Sequence, residues 1–348
     1  MLNVHILYEQ GMDLRPHSSS YIRLLRPFSH PIVSKKIKVS SGLYLPTRKV
    51  DIVIIDRLWR SWDIDIVIAE NLIKKIREMK SKIVYSFDDD LESWVSLKPG
   101  IPTKFREVFQ LFLKNSDGIL VTTDALRDKF SKVQSNAVVL PNMLDERLLL
   151  PIRKEKKKID EVVIGYMGTI THQEDLEMIF DDLVNIYQKF KSKIRFELIG
   201  ILNHCELDYI RSRGLQIFPL DPGNFIEYPL FMLWYGSRVS WDIGLAPLRD
   251  NEFNKFKSDI KLLDYAAIGA AGIFSKSNVY QTVLNFQNGI VVSEKRGNWS
   301  DAIEKIIVDY ELRNRLQEAA TDYLYEKRVL AKTAHLWIDA VEKIYEDS

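Results

Sequence analysis

Three stretches of the 348-residue chain gather side chains that can do chemistry. The densest starts at Gly244-Leu-Ala-Pro247 and runs through Glu252, Asn254, Lys257, Ser258, Lys261 and Asp264 to Gly269. Its pattern predicts a strand ending at Pro247, a polar loop, and a helix starting near Lys257 or Ser258. Lysines about one turn apart beside the free amides of a helix start suit a diphosphate. Asp264, two turns in, is placed to accept hydrogen bonds from sugar or ribose hydroxyls. The same spacing also suits ordinary surface pairs along a helix.

The second stretch, Ile164-Gly-Tyr-Met-Gly168-Thr169-Ile-Thr-His172, leaves a predicted strand and enters a helix near Asp175. Gly168 lets a ligand approach the backbone, and Thr169 and His172 flank a helix start that favours phosphate. It lacks the Gly-Lys-Ser/Thr ending of a P-loop and the three-glycine spacing of a dinucleotide fingerprint, so a plain strand-to-helix turn is the alternative. The third stretch, Tyr85-Ser-Phe-Asp88-Asp89-Asp90, puts three carboxylates just after a strand. Such a cluster can hold a divalent metal, act as a base, or cap a helix; Asp88 and Asp89 are the favoured substrate contacts. Gly11, followed by His17-Ser-Ser-Ser20 and Arg23, reads as a loop and helix start where Arg23 can meet an anionic acceptor or lie on the surface.

The elements that must position these residues alternate. In the first half, β-rich runs at Val4–Tyr8, Asp51–Ile55, Lys82–Phe87, Gly118–Val121 and Ala137–Leu140 flank helical segments at Ile64–Met79 and Thr103–Leu113, and Thr122-Thr-Asp124 offers a cap. The pattern restarts after the charged run Arg153–Lys158, with strands at Val162–Met167, Phe196–Ile199, Ile243–Ala246 and Gly272–Ser275 and an amphipathic helix at Leu176–Phe190. The division is residues 1–152 as a first Rossmann-like domain, 153–159 as linker, 160–328 as a second, and 329–348 as a closing helix. Two doubly wound α/β domains then face one another across a cleft, and ligands of such folds sit at the carboxyl ends of the strands.

Length alone suggests two domains. The hydrophobic share of 46% with 28% charged residues is that of a globular chain. No apolar run approaches the ~20 residues of a membrane span, and the start lacks a secretory leader's pattern. The single cysteine, Cys205, has no partner for a disulfide or a metal. These features read as a cytoplasmic protein. The net charge of +1 conceals an asymmetry: up to Lys158 there are 28 Lys and Arg against 19 Asp and Glu, and beyond it 21 against 29. A basic first half attracts something anionic, and peripheral membrane contact is the expectation. No aromatic-rich recognition motif accompanies the basic residues, so nucleic acid is not an expected partner.

The residues from Lys257 to Gly269 read Lys-Ser-x-x-Lys-x-x-Asp-Tyr-Ala-Ala-x-Gly, and this block resembles the donor-binding region of GT-B glycosyltransferases similar to glycosyltransferase family 4. Gly165-Tyr-Met-Gly-Thr with His172, Val138-Val-Leu-Pro-Asn142 and Asn288-Gly-Ile-Val-Val292 agree with it. The resemblance covers most of the second half and only loosely the first. It implies a GT-B fold and a retaining transfer from a nucleotide-sugar donor to a carbohydrate or lipid-linked acceptor, with no cofactor or essential metal. It assigns Lys257, Ser258 and Lys261 to the leaving diphosphate, Asp264 to donor orientation, and Glu227 or Tyr228 to the nucleotide base. Two departures stand out. The family's first glutamate falls on Phe256, and its Arg and Lys after the strand are replaced by Thr171, His172 and Gln173. Lys257 and Lys261 would then take over phosphate binding, and Glu252 or Asn254 the sugar contacts. The other readings are a non-catalytic partner subunit of a glycan assembly and a nucleotide-sugar epimerase or phosphorylase.

Overall fold

A computed structural model describes residues 1–97, 100–152, 161–169, 172–200, 208 and 210–347. The expected linker at 153–159, Thr171 and Cys205 lie outside the described residues. Among the described residues twelve strands form two parallel sheets of six. The first contains β1 (Asn3–Leu7), β2 (Lys38–Gly42), β3 (Ile52–Asp56), β4 (Lys82–Phe87), β5 (Gly118–Val121) and β6 (Ala137–Val139), in the order β2-β1-β3-β4-β5-β6. The second contains β7 (Val162–Met167), β8 (Ile194–Ile199), β9 (Ile217–Leu220), β10 (Ile243–Ala246), β11 (Ala271–Ser275) and β12 (Ile290–Val292), in the order β12-β11-β10-β7-β8-β9.

The central strands of each sheet are continuous apolar runs because helices cover both faces there. All five residues of β3 and all four of β5 are buried. In each sheet the order reverses beside the strand that starts it, between β1 and β3 in the first and between β7 and β10 in the second. Loops diverge above those points and leave a crevice at the carboxyl ends. The predicted strands recur within one or two residues. β2, β9 and β12 are additional, and the run Leu176–Phe190 is two helices, Gln173–Glu177 and Phe180–Phe190.

The closing segment folds as Leu330–Thr333 and His335–Asp347 rather than as one helix from Val329. It returns to the first sheet, where Trp337, Val341 and Ile344 join a core with Val4, Ile6 and Val84. The Trp337 indole donates to the carbonyl of Arg23 at 2.7 Å.

Two glycines set the depth of the second core. Gly165 of β7 and Gly244 of β10 are register partners. A Cβ at Gly165 would fall 1.8 Å from the Trp241 ring, and one at Gly244 2.5 Å from the Tyr265 ring. The two rings therefore press on bare backbone. Gly165→Ala is expected to cost about 2–3 kcal/mol through overpacking, read as a fall in Tm. Gly236→Ala, whose nearest neighbour would lie at 3.4 Å, should be neutral or stabilising within the helix Tyr228–Arg238.

Candidate active site

The helix bearing Asp264 begins at Ile260, with Asp259 at its cap, not at Lys257. A 3-10 turn, Asn254–Phe256, precedes it, and Lys257 and Ser258 lie in the approach between turn and helix. The cause is the turn itself: Lys257 donates its amide to the Asn254 carbonyl and is extended beyond it. Tyr265, buried against Gly244, donates its hydroxyl to the Leu245 carbonyl and pins the helix to β10.

Lys261 and Asp264 face the β7/β10 crevice from that helix, and both are buried. The Lys261 amine donates to the Met167 carbonyl at 2.5 Å and lies 5.0 Å from the Tyr166 ring centre. Burial, with Lys257 nearby, pulls its pKa down to about 8, although Asp264 opposes this. Burial pushes the Asp264 carboxyl up to about 7 against the pull of Lys261. His172 stands just before the helix after β7, and its ring meets Asp175 at 2.8 Å. Burial, then Lys261 and Lys257, bring its pKa down to about 4.

Several predicted donor contacts are occupied within the protein. The Gly168 amide donates to the Ile199 carbonyl at 3.1 Å, so it does not offer a phosphate donor. Asn254 is buried, and its side-chain amide donates to Asp175 and to the Arg249 carbonyl, which uses it as a loop brace. Glu252 is exposed and pairs with Lys255 at 2.6 Å on the same loop. Thr169 lies next to Gly168, and its carbonyl accepts the His172 amide. Asp175, which sequence reasoning did not assign, is the hub here: it binds His172, the Arg249 amide and Asn254.

The first sheet contributes a second cluster at its β1/β3 crevice. Arg57, just beyond β3, donates to Glu9 at 2.6 Å, to Asp88, and to Asp89 at 3.3 Å. Burial alone would lower the Arg57 pKa, but Asp88, Glu9 and Asp89 hold it well above its usual value. Burial likewise opposes the ionisation of Asp88 and Glu9, yet Arg57 keeps both below the usual carboxylate range. His17 stands 3.4 Å from Glu9, whose hydrogen bond raises its pKa. Gly11 faces His17, since a Cβ there would meet its Nε2 at 3.5 Å. Asp56, at the end of β3, accepts from Ser20 at 2.5 Å, and burial pushes it up to about 7. Arg57 and Trp59 have φ of 45° and 54°, strained for residues with side chains.

Arg23, expected to meet an acceptor, is instead 1% exposed. Its guanidinium donates to the carbonyls of Leu140 and Leu120 beneath the cluster, so it has no surface to present. The acidic triplet also divides: Asp88 and Asp89 turn to Arg57, while Asp90 is buried on Lys129 at 2.5 Å. Among the described residues no three His, Cys, Asp or Glu side chains form a metal-holding group.

The clusters meet across the cleft. Lys257 lies 4.0 Å from Asp89, Asn142 donates to Ser258 at 2.8 Å, and Thr123 donates to the Phe256 carbonyl at 3.3 Å. Phe256 fills the position of the expected glutamate, its ring 4.9 Å from the Lys129 amine. Glu227 accepts from the Tyr21 hydroxyl, and Tyr228 is buried with its ring stacked on Tyr21 at 6.2 Å. These two residues, expected at a nucleotide base, therefore join the halves. The contacts form a charged chain, Lys257–Asp89–Arg57–Glu9–His17, from one sheet to the other.

No protein-family model matches the chain, and no curated protein is similar to it in sequence. Solved structures are similar in fold. A sucrose-phosphate synthase from Thermosynechococcus elongatus superposes with a TM-score of 0.70 at 11% identity, covering 100% of each chain. Anabaena HepE, solved with UDP and glucose, gives 0.65 at 11% identity over 98% of this chain and 100% of its own. The pneumococcal O-GlcNAc transferase GtfA, solved with UDP and GlcNAc, gives 0.59 at 12% identity over 84% of this chain and 56% of its own. The two facing parallel sheets, with the chain returning to the first, are the GT-B fold of glycosyltransferases.

Proposed function

We propose that this protein is a retaining glycosyltransferase similar to family 4, moving a sugar from a nucleoside-diphosphate donor to a carbohydrate or lipid-linked acceptor in cell-surface glycan synthesis. The observation that carries this reading is the convergence of Lys257, Ser258, Lys261 and Asp264 at the β7/β10 crevice, opposite Asp88 and Asp89. Here residues 1–152 are the acceptor domain and 160–328 the donor domain. The uridine complexes of HepE and GtfA make uridine the first base to try.

The chemistry follows from charge. When the bond from the sugar's anomeric carbon to the donor phosphate breaks, negative charge grows on the departing diphosphate. Lys257 and Lys261 stabilise it as preorganised cations in a site from which water is excluded. The acceptor oxygen forms the new bond to that carbon, and its proton leaves toward the diphosphate. Asp264, which burial leaves partly protonated near neutrality, can donate a hydrogen bond as well as accept one, which suits a ribose or sugar hydroxyl. Asp88 and Asp89 face the acceptor side as hydrogen-bond acceptors. No step is assigned to a metal, so repeating the nucleotide titration with a chelator present should leave the affinity unchanged.

The test is calorimetric titration with UDP, GDP, dTDP and ADP, followed by donor turnover. One nucleotide should bind, and affinity should fall as pH rises through about 8, where Lys261 loses its charge. The bound diphosphate favours the charged amine, so binding above that pH takes up a proton, visible as a buffer-dependent heat. Lys261→Met should remove the pH step. Failure of every nucleotide to bind would end the reading. Binding without turnover would favour the partner-subunit alternative, for which Phe256 at the glutamate position is the supporting observation.

A further inference from the structure

Between Asp13 and Asp51 the chain carries eight Lys and Arg and not one Asp or Glu. Three of the eight are accounted for: Arg15 pairs with Asp13, Arg26 with Asp145, and Arg23 is buried. The other five, Lys35, Lys36, Lys38, Arg48 and Lys49, are exposed and form no ion pair among the described residues. They cluster along the free edge of the first sheet, on and around its outermost strand β2.

Lys38 and Arg48 line a cavity of about 480 Å³ at that edge. Its remaining polar lining is four serines with no carboxylate; Ser29 and Ser34 donate to the Arg26 and Pro31 carbonyls and Ser40 bonds the His5 ring at 2.9 Å, leaving Ser41 as the hydroxyl with a proton to offer. Ile6, Leu25, Phe28, Ile37 and Val39 supply an apolar side. Cations and hydroxyls without an opposing acid suit a phosphate, and an apolar side suits the hydrocarbon attached to one. Tyr44, two residues past β2, is 71% exposed, an aromatic ring with a polar tip of the kind that sits at a lipid–water boundary.

We propose that this edge of the first domain rests on an anionic phospholipid surface, with one headgroup phosphate held in the cavity by Lys38, Arg48 and the Ser41 hydroxyl. The surface is separate from the cleft, and the inference does not rest on the transferase reading. No helix among the described residues is long and apolar enough to cross a membrane, so contact here would be peripheral. Surface attraction supplies the on-rate and the cavity supplies the choice of phosphate over other anions.

Co-sedimentation of the full chain with phosphatidylcholine vesicles, with and without phosphatidylglycerol, tests this. Binding is expected only with the anionic lipid and should weaken with salt. Lys38→Gln with Arg48→Gln should lower partition about 30-fold, each cation near the surface contributing about five-fold. Ser41→Glu, which places a negative charge in the cavity and leaves both lysine and arginine intact, should lower it comparably. Lys114→Gln with Lys132→Gln, exposed cations away from β2, should change it little. Equal losses in both lysine-containing pairs would reduce the effect to diffuse charge and overturn the site. Tighter binding to a single-stranded oligonucleotide, or displacement from vesicles by inorganic phosphate alone, would equally overturn the lipid assignment.

Discussion

Alanine at position 257 is expected to weaken nucleoside-diphosphate binding about 100-fold, since a hydrogen bond to a charged group is worth about 1.5–3 kcal/mol. The fold should not notice. Lys257 anchors no core, and among the described residues its side chain makes only a 4.0 Å ion pair with Asp89 and a 4.7 Å approach to the Phe253 ring. Its Tm should stay within about 2 °C of the parent, a single 4.0 Å pair between half-buried side chains being worth about 1 kcal/mol. Asp89→Asn sharpens the experiment, because it frees Lys257 from its partner in the other domain and should leave affinity equal or improved. Unchanged affinity in Lys257→Ala, beside a parent that binds, would move the phosphate elsewhere.

Arg328→Met should have the largest effect on stability. The guanidinium is buried and grips Asp259 with two bonds of 2.7 and 2.8 Å, then reaches the Asn142 carbonyl at 2.9 Å and the Tyr323 hydroxyl at 2.9 Å. Asp259 also accepts from Thr282 at 2.6 Å and occupies the position just before the helix that carries Lys261 and Asp264, which the pair thereby anchors. Removing one partner strands a buried carboxylate, a loss of about 3–5 kcal/mol, equivalent to a fall in Tm of roughly 4–7 °C for a chain of this size. Arg328→Met with Asp259→Leu should recover part of that loss, because the abandoned charge goes with its partner. Urea denaturation checks both. A single-variant loss under about 1 kcal/mol would show that the pair is solvated.

Both predictions concern residues whose visibility in the sequence differed. The block from Lys257 to Gly269 was legible because it is local: its spacing lies within one turn and one helix. The cluster of Glu9, Arg57, Asp88 and Asp89 was only half legible. Asp88 and Asp89 stood out as neighbours, whereas Glu9 and Arg57 are single charges after separate strands, joined only by the β1-β3-β4 order. Arg23 misled for the opposite reason. A charge beside Ser18–Ser20 suggests a surface, yet its guanidinium finds the Leu120 and Leu140 carbonyls, which no local pattern reports. Strand β2, Lys-Val-Ser-Ser-Gly, carries one large apolar residue because it is an edge, so apolar periodicity passes it by. The helix start was misplaced because Ser258 is a plausible cap; the Asn254–Phe256 turn delays the helix until Asp259 can take that place.

The return of the chain to its first sheet has a bearing on how the molecule is made. Gly118 of β5 leaves room for Ile344, which a Cβ there would approach to 2.7 Å, and the Trp337 indole closes over the Arg23 carbonyl. The first domain thus lacks part of its core until residues near 344 have left the ribosome, whereas most of the second domain's core is complete about 20 residues sooner, once Leu324 has emerged. During synthesis the order of completion is therefore inverted: the domain begun second finishes first, and the one begun first waits with part of its apolar face uncovered.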